Sequence, residues 1–282
     1  MGFQSVIENL AAQDNRSDGD YIGENGLLYC GQCHTAKQSR ICWLDGGEER
    51  VVPVVCKCQK EQETEAKRQQ QEAELELYID ALRRDGMTDE AYFSRTFAAD
   101  DEQNQKVSDL CLRYVAHWKE MRDSGQGLLF YGGVGTGKSF YACAIANALL
   151  EQCVTVMVTN FPRILARLQE HYGSGRTEVI RQLQRYDLLV IDDLGVERST
   201  STALESLYQV IDARLLSQKP LIVTTNLSPE DLNEPENVDY GRIYDRLKEM
   251  CLAVKVDGVS RRTAIAAQNR KKVMEVLGYE QP

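Results

Sequence analysis

No apolar run in this 282-residue chain approaches the roughly 20 residues needed to span a bilayer, which excludes a helical membrane protein. Met1 to Leu10 lack the basic start and long apolar core of a secretory signal, so a cytoplasmic protein with no membrane partner is expected. Positive charge is also short. The formal net charge of −10 excludes a protein that coats nucleic acid broadly, although a local basic groove is compatible with it. No stripe of interleaved basic and aromatic residues marks a nucleic-acid surface. No thioredoxin-like βαβ pattern surrounds Cys30-Gly31-Gln32-Cys33, which counts against a redox pair there.

What is present is the apolar content of an ordinary soluble protein, in a length that allows one large domain and a smaller appendage. The chain is organised around Gly132-Gly133-Val134-Gly135-Thr136-Gly137-Lys138-Ser139, which satisfies G-x-x-x-x-G-K-[ST] at every fixed position. A short apolar strand, Gly127–Tyr131, precedes it and an apolar helix, Phe140–Leu150, follows. That context is what a phosphate-binding loop needs. Glycines let backbone N–H groups curl around a phosphate chain, and the helix N-terminus adds positive potential. ATP or ADP is therefore the expected ligand, held by Gly132 to Phe140, with Lys138 on the β and γ phosphates and Ser139 on magnesium. The bland alternative is a glycine-rich turn that binds nothing.

A second apolar strand ends in Asp192-Asp193, about 55 residues after Lys138. Asp192 at its tip is the expected magnesium holder, and Asp193 the group that orients or deprotonates the attacking water. Further expected strands are Val154–Thr159, buried and parallel, Pro220–Asn226, also buried, and the short Ala253–Val256. Thr225 and Asn226 sit at a strand tip and are candidates for the γ-phosphate or the water; Asn226 as a mere turn cap is the alternative. Helices are expected over Phe161–Tyr172, Leu204–Leu216 and Ser260–Leu277, with Gly173-Ser174-Gly175 as a break. Phe93, Phe97, Val107, Leu110, Leu112, Val115 and Trp118 are expected to pack a helical segment onto the nucleotide domain. Arg95-Thr96-Phe97 contacts either adenine or the core. Arg242 and Arg246, four apart, share a helix face. Arg261 or Arg262 is placed to meet the γ-phosphate from the same subunit.

Nine cysteines are present, and four of them form two pairs, Cys30/Cys33 and Cys56/Cys58, about two dozen residues apart. Two pairs at this spacing suit a tetrahedral zinc site stapling a domain too small to hold itself. His34 and Cys42 are alternative ligands. The other five cysteines are expected to be buried or free thiols. Residues 60–87 are rich in Glu, Gln, Lys and Arg and are expected to form a solvated linker helix. Asp14 to Asn25 is expected to be a loop. The expected organisation is thus a tail (1–28), a zinc-binding module (29–59), a charged helical linker (60–87) and an ATPase domain (88–282). The fold class is α/β, a P-loop ATPase with a central parallel sheet between helices.

The phosphate loop, Ile191-Asp192-Asp193-Leu194-Gly195, Thr224-Thr225-Asn226-Leu227-Ser228 and Gly241-Arg242-Ile243-Tyr244-Asp245-Arg246-Leu247 follow one another in this order. The set resembles the DnaC/DnaI-type AAA+ ATPases, the replicative helicase loaders, and their relatives the IstB transposition helpers. The resemblance covers roughly residues 88 to 270. It implies that Lys138 and Ser139 form the Walker A element and Asp192 the Walker B aspartate. Asn226 is similar to sensor 1, Arg246 to the arginine finger that completes a neighbour's site, and Arg261 to sensor 2. Asp193 stands where many AAA+ proteins carry a glutamate, which suits slow hydrolysis. The implied activity is ATP hydrolysis that loads a hexameric replicative helicase onto single-stranded DNA, by a homo-oligomer assembled on ATP. An IstB-like transposition helper and an adaptor tuned by nucleotide are the competing readings. The N-terminal cysteine cluster is the discriminator, because IstB-type helpers do not usually carry one.

Overall fold

The computed structural model describes residues 16–42, 49–171, 173–195, 201–227 and 238–278. The chain divides into two compact units, Met1–Leu77 and Tyr78–Pro282.

In the first unit, β1 (Tyr21–Ile22) pairs antiparallel with β2 (Leu28–Tyr29), and β3 (Gln38–Ile41) with β4 (Arg50–Pro53). Strand β1 lies where the sequence suggested a loop. Hairpins this short do not stand alone in water. A buried ion pair helps: Lys37 Nζ lies 2.6 Å from Asp20 Oδ2. Asp20 also accepts the N–H groups of Ser17 and Gly31. The Lys37 contact, with these N–H donors, brings the Asp20 carboxyl down to about 2. Gly31 has no room for a side chain, because a Cβ there would lie 2.1 Å from the Gly19 carbonyl oxygen.

Helix α1 (Lys57–Gly86) is exposed along most of its length and carries ion pairs from Arg68 to Glu65 and Glu72. Leu75 and Leu77 are exposed on it, while Leu82 packs against the core of the second unit. The helix ends at Gly86, where a Cβ would come within 1.8 Å of the Val156 carbonyl oxygen. Met87 and Thr88 then pair with Val158 along the sheet edge.

The second unit holds a five-stranded parallel sheet in the order β6-β7-β8-β5-β9. The strands are β5 (Gly127–Tyr131), β6 (Val156–Asn160), β7 (Leu188–Leu194), β8 (Leu221–Thr225) and β9 (Cys251–Lys255). They are near-continuous apolar runs because helices cover both faces. Alternate residues go to opposite sides. Leu128, Phe130, Val190, Ile222 and Val254 meet α2 (Gln105–Ala116), α3 (Trp118–Ser124) and α4 (Lys138–Leu150). Leu129, Leu189, Ile191, Leu221 and Val223 meet α5 (Phe161–Glu170), α6 (Ser174–Arg185), α7 (Ser201–Leu216) and α8 (Val238–Met250). Each fully buried aliphatic side chain contributes about 1.5–3 kcal/mol. A final helix, α9 (Arg261–Leu277), follows β9.

Val107, Val115 and Trp118 are buried as expected, and Phe93, Phe97 and Leu110 pack against them. Leu112 differs: it faces solvent at 47 % exposure, off the apolar stripe of α2. The expected break at Gly173-Ser174-Gly175 is the start of α6 instead. Of the three residues, Gly173 carries the positive φ of +56°. Arg214, 1 % exposed, is fully used in structure: it donates to the carbonyls of Tyr186, Asp187 and Pro220, tying α7 to the entries of β7 and β8. No described helix is long and apolar enough to cross a membrane.

Candidate functional site

The phosphate loop joins β5 to α4 at the carboxyl end of the sheet. Gly132 and Gly137 adopt φ of +139° and +107°, where a side chain is strained. Gly137 is doubly constrained, since a Cβ would lie 1.7 Å from the Arg261 guanidinium. Lys138 is 5 % exposed, and its ammonium lies inside the loop, 2.9 Å from Gly132 O and 2.7 Å from Gly133 O. Thr136 Oγ1 closes the same turn on Gly133 O at 3.0 Å. Burial holds the Lys138 ammonium below the ordinary lysine value; Arg262 adds to this, and Asp193 and Asp192 oppose it.

The two acids sit on a defect in the sheet. Along β7 and β8, Ile191 faces Val223 and Leu194 faces Thr225, so Asp192 and Asp193 together face Thr224 alone. This bulge turns Asp193 to φ +54°, a left-handed conformation that aspartate tolerates better than most residues. Such a residue costs on the order of 1–2 kcal/mol. Thr224, fully buried, spans the defect. Its hydroxyl donates to Asp192 Oδ1 at 2.6 Å and accepts the Asp193 N–H at 2.8 Å. Burial, then the Asp192 charge, pushes the Asp193 carboxyl up from the usual carboxylate value, while Arg262 and Lys138 pull it back. Sequence reasoning passed over Thr224. The available signal was a pair of hydroxyls in an otherwise apolar strand.

Asn226 follows β8 and is exposed beside this tip. Thr225, by contrast, is buried and donates to the Leu194 carbonyl, so it is a structural residue here. Arg95 lies on the Tyr92 ring at 4.9 Å, and its carbonyl accepts from buried Asn147 of α4. With Phe97 in the core, this segment is packed against α4.

Arg261 opens α9 and reaches back to the loop. It grips Asp101 through both carboxylate oxygens, donates to the Thr136 carbonyl, and lies 5.7 Å from the Tyr141 ring centre. Its backbone N–H bonds Gly135 O at 2.9 Å. The Asp101 contact raises its affinity for the proton further. Arg262, next along, is exposed. Arg246 lies on α8, where Nε donates to Asp212 Oδ1 at 2.7 Å and the guanidinium stacks over Tyr208 at 4.5 Å. Arg242 is exposed one turn earlier. Among the described residues Arg246 is thus held against α7 of its own chain.

In the first unit the sulfurs of Cys30, Cys33, Cys56 and Cys58 all lie within 4.8 Å of one another. Cys58 Sγ is 3.5 Å from Cys30 Sγ and 3.4 Å from Cys56 Sγ. A tetrahedral zinc–thiolate site, with bonds of about 2.3 Å, has sulfurs roughly 3.8 Å apart, so this donor set fits zinc in number, chemistry and spacing. His34 turns away to Tyr21 OH at 3.3 Å, and Cys42 is exposed beside Glu49. Neither joins the cluster. The Thr35 hydroxyl, first, brings the Cys33 thiol down to about 5, and backbone N–H groups lower Cys30. Of the other five thiols, Cys111, Cys143 and Cys251 are buried in the second unit.

Sheet order, phosphate loop and acid pair are those of a P-loop ATPase of the AAA+ class. The solved structure of the DnaC helicase loader superposes over 60 % of this chain and all of that one, with a TM-score of 0.52 and 22 % identity, and supports the same fold. The chain belongs to the IstB-like ATP binding protein family, whose model matches residues 58–269. Two of its relatives carry different functional names. The Bacillus subtilis replicative helicase loader DnaI is 28 % identical over 169 residues, covering 56 % of this chain and 53 % of its own. The Mycobacterium tuberculosis insertion-sequence ATP-binding protein Rv3427c is 28 % identical over 162 residues, 56 % of this chain and 64 % of its own. The chain spans about half the length of the curated relatives it matches.

Proposed function

We propose that this protein is an ATP-dependent loader of a hexameric replicative helicase, acting on single-stranded DNA in the cytoplasm. In this reading ATP lies along Gly132 to Phe140. Lys138 contacts the β and γ phosphates, and Ser139 and Asp192 hold magnesium. Asp193 orients or deprotonates the attacking water, with Asn226 beside it. Four cysteine thiolates hold a structural zinc that staples the N-terminal module. The observation that carries the enzymatic part is the Lys138 ammonium held inside the phosphate loop, in the chain whose Asp192 and Asp193 are set by Thr224 at the end of β7. Arg246 completes the site of a neighbouring subunit when ATP assembles the oligomer, which requires it to leave Asp212. Arg261 acts from its place beside the loop, where it holds Asp101 and donates to the Thr136 carbonyl.

The four-cysteine cluster favours the loader over the transposition helper. The insertion-sequence relative supports the helper as the second reading. The test is ATP hydrolysis by the full chain with a replicative helicase and single-stranded DNA, set against a transposase and duplex DNA. Stimulation by the first pair supports the loader. Stimulation by the second alone replaces it with the helper. Partner binding that survives Lys138→Ala points to an adaptor whose nucleotide is dispensable.

A further inference from the structure

We infer that Thr224 is a positioning residue for hydrolysis, one hydroxyl that sets both acids of the site. The inference rests on the reading of Asp192 and Asp193 given above. A hydroxyl has one proton to give and lone pairs to accept with. Thr224 uses both on consecutive residues of β7: it donates to Asp192 Oδ1 at 2.6 Å and accepts from the Asp193 backbone at 2.8 Å. The first distance is that of a hydroxyl donating to a carboxylate. It occupies Oδ1, so Oδ2 is the oxygen that would hold magnesium. The second bond holds the bulge in which two residues oppose one, and so sets the direction in which the Asp193 side chain leaves the strand. Bulges next to active sites re-aim side chains in this way. Nothing else in strand β8 requires a hydroxyl at this point. Val223 before it is apolar, and Thr224 itself is 0 % exposed.

Thr224→Val keeps the shape and removes the hydroxyl; Thr224→Ser keeps the hydroxyl. Both are made in the full chain, and folding is followed by circular dichroism and thermal melting. Partners that orient metal-binding groups are worth about 10–100-fold in metal affinity or activity. We therefore expect Thr224→Val to lower kcat at least about tenfold and to shift half-saturation to higher magnesium, while nucleotide affinity measured without magnesium stays within about twofold. Thr224→Ser restores most of the rate. The second arm is non-additivity in binding: in an Asp192→Asn background the valine adds no further loss of the magnesium dependence of nucleotide affinity, which is measured without turnover. Wild-type kcat and magnesium response in Thr224→Val overturn the inference, provided that Asp192→Asn and Asp193→Asn abolish turnover. If those two variants keep turnover, the reading of the acids fails instead. Should the valine variant not fold, Thr224→Ser decides: it must retain the magnesium response that Thr224→Ala loses.

Discussion

Arg261 holds Asp101 across 160 residues of sequence, with Nε on one carboxylate oxygen and Nη2 on the other. The same guanidinium caps the Thr136 carbonyl of the phosphate loop. The segment ahead of α2 is thereby tied to the loop through one side chain.

If Arg261 acts through this tie, Asp101→Ala and Arg261→Ala weaken nucleotide binding to similar extents, and the double variant is no worse than either. Arg261→Lys is expected to fail as well, because lysine cannot make the two-pronged contact. Arg262→Ala is expected to leave affinity near wild type and lower turnover, as its charge acts on Lys138 and Asp193. Titration of a fluorescent ATP analogue measures affinity in all five variants, and a phosphate-release assay measures the turnover of Arg262→Ala. The pairing holds the Asp101 carboxyl below its usual range. Its contribution to stability is therefore full above the ordinary aspartate value of about 3.9 and is lost as pH falls below it.

Asp193 bears a cost in the fold. Burial and Asp192 raise its carboxyl, so its charged form is disfavoured in the folded protein. A group raised in this way stabilises only at low pH, and that contribution is gone at neutral pH. Asp193→Asn is expected to melt at a higher temperature than wild type at pH 7, in nucleotide-free protein, and to hydrolyse ATP at least about 100-fold more slowly. Differential scanning calorimetry beside a phosphate-release assay checks both halves.

The zinc proposed for the four-cysteine cluster makes a sharp demand on ligand identity. Purified full-length protein should carry one zinc by elemental analysis. Ser substitution at Cys30, Cys33, Cys56 or Cys58 should lose it, and the first unit should lose protection from proteolysis, since structural zinc supplies folding energy outright. His34→Ala and Cys42→Ser should keep it, because neither side chain reaches the sulfurs. Lys138→Ala should keep it too, while nucleotide binding is lost.

Much of this was legible in the sequence. The strand Gly127–Tyr131 has its expected bounds, because it is a buried apolar run between a glycine and the loop. The cysteine spacing pointed to the four thiols that the fold brings together, while His34 and Cys42 lie outside that cluster. Other features were hidden for physical reasons. Helix α6 begins inside Gly173-Ser174-Gly175, which local propensity marks as a break; packing of Val179 and Leu183 into the core overrides it. The bulge at Asp192-Asp193 has no periodic signature, since both residues lie in what scans as one continuous strand end. Asp101 and Asp212 are ordinary surface acids until the fold brings Arg261 and Arg246 to them. Residues 196–200 and 228–237, which include Ser228, lie outside the described chain.

The protein is proposed to be an ATPase whose site is completed by a neighbour and driven by helicase and DNA. The most direct test is the steady-state ATPase rate of wild type and Arg246→Ala, each alone and with a replicative helicase and single-stranded DNA. A rate raised by helicase and DNA in the wild type, absent in Arg246→Ala despite normal ATP binding, is the expected result. An Arg246→Ala variant stimulated as strongly as wild type would contradict the account, and would leave Arg246 as a structural partner of Asp212 and Tyr208.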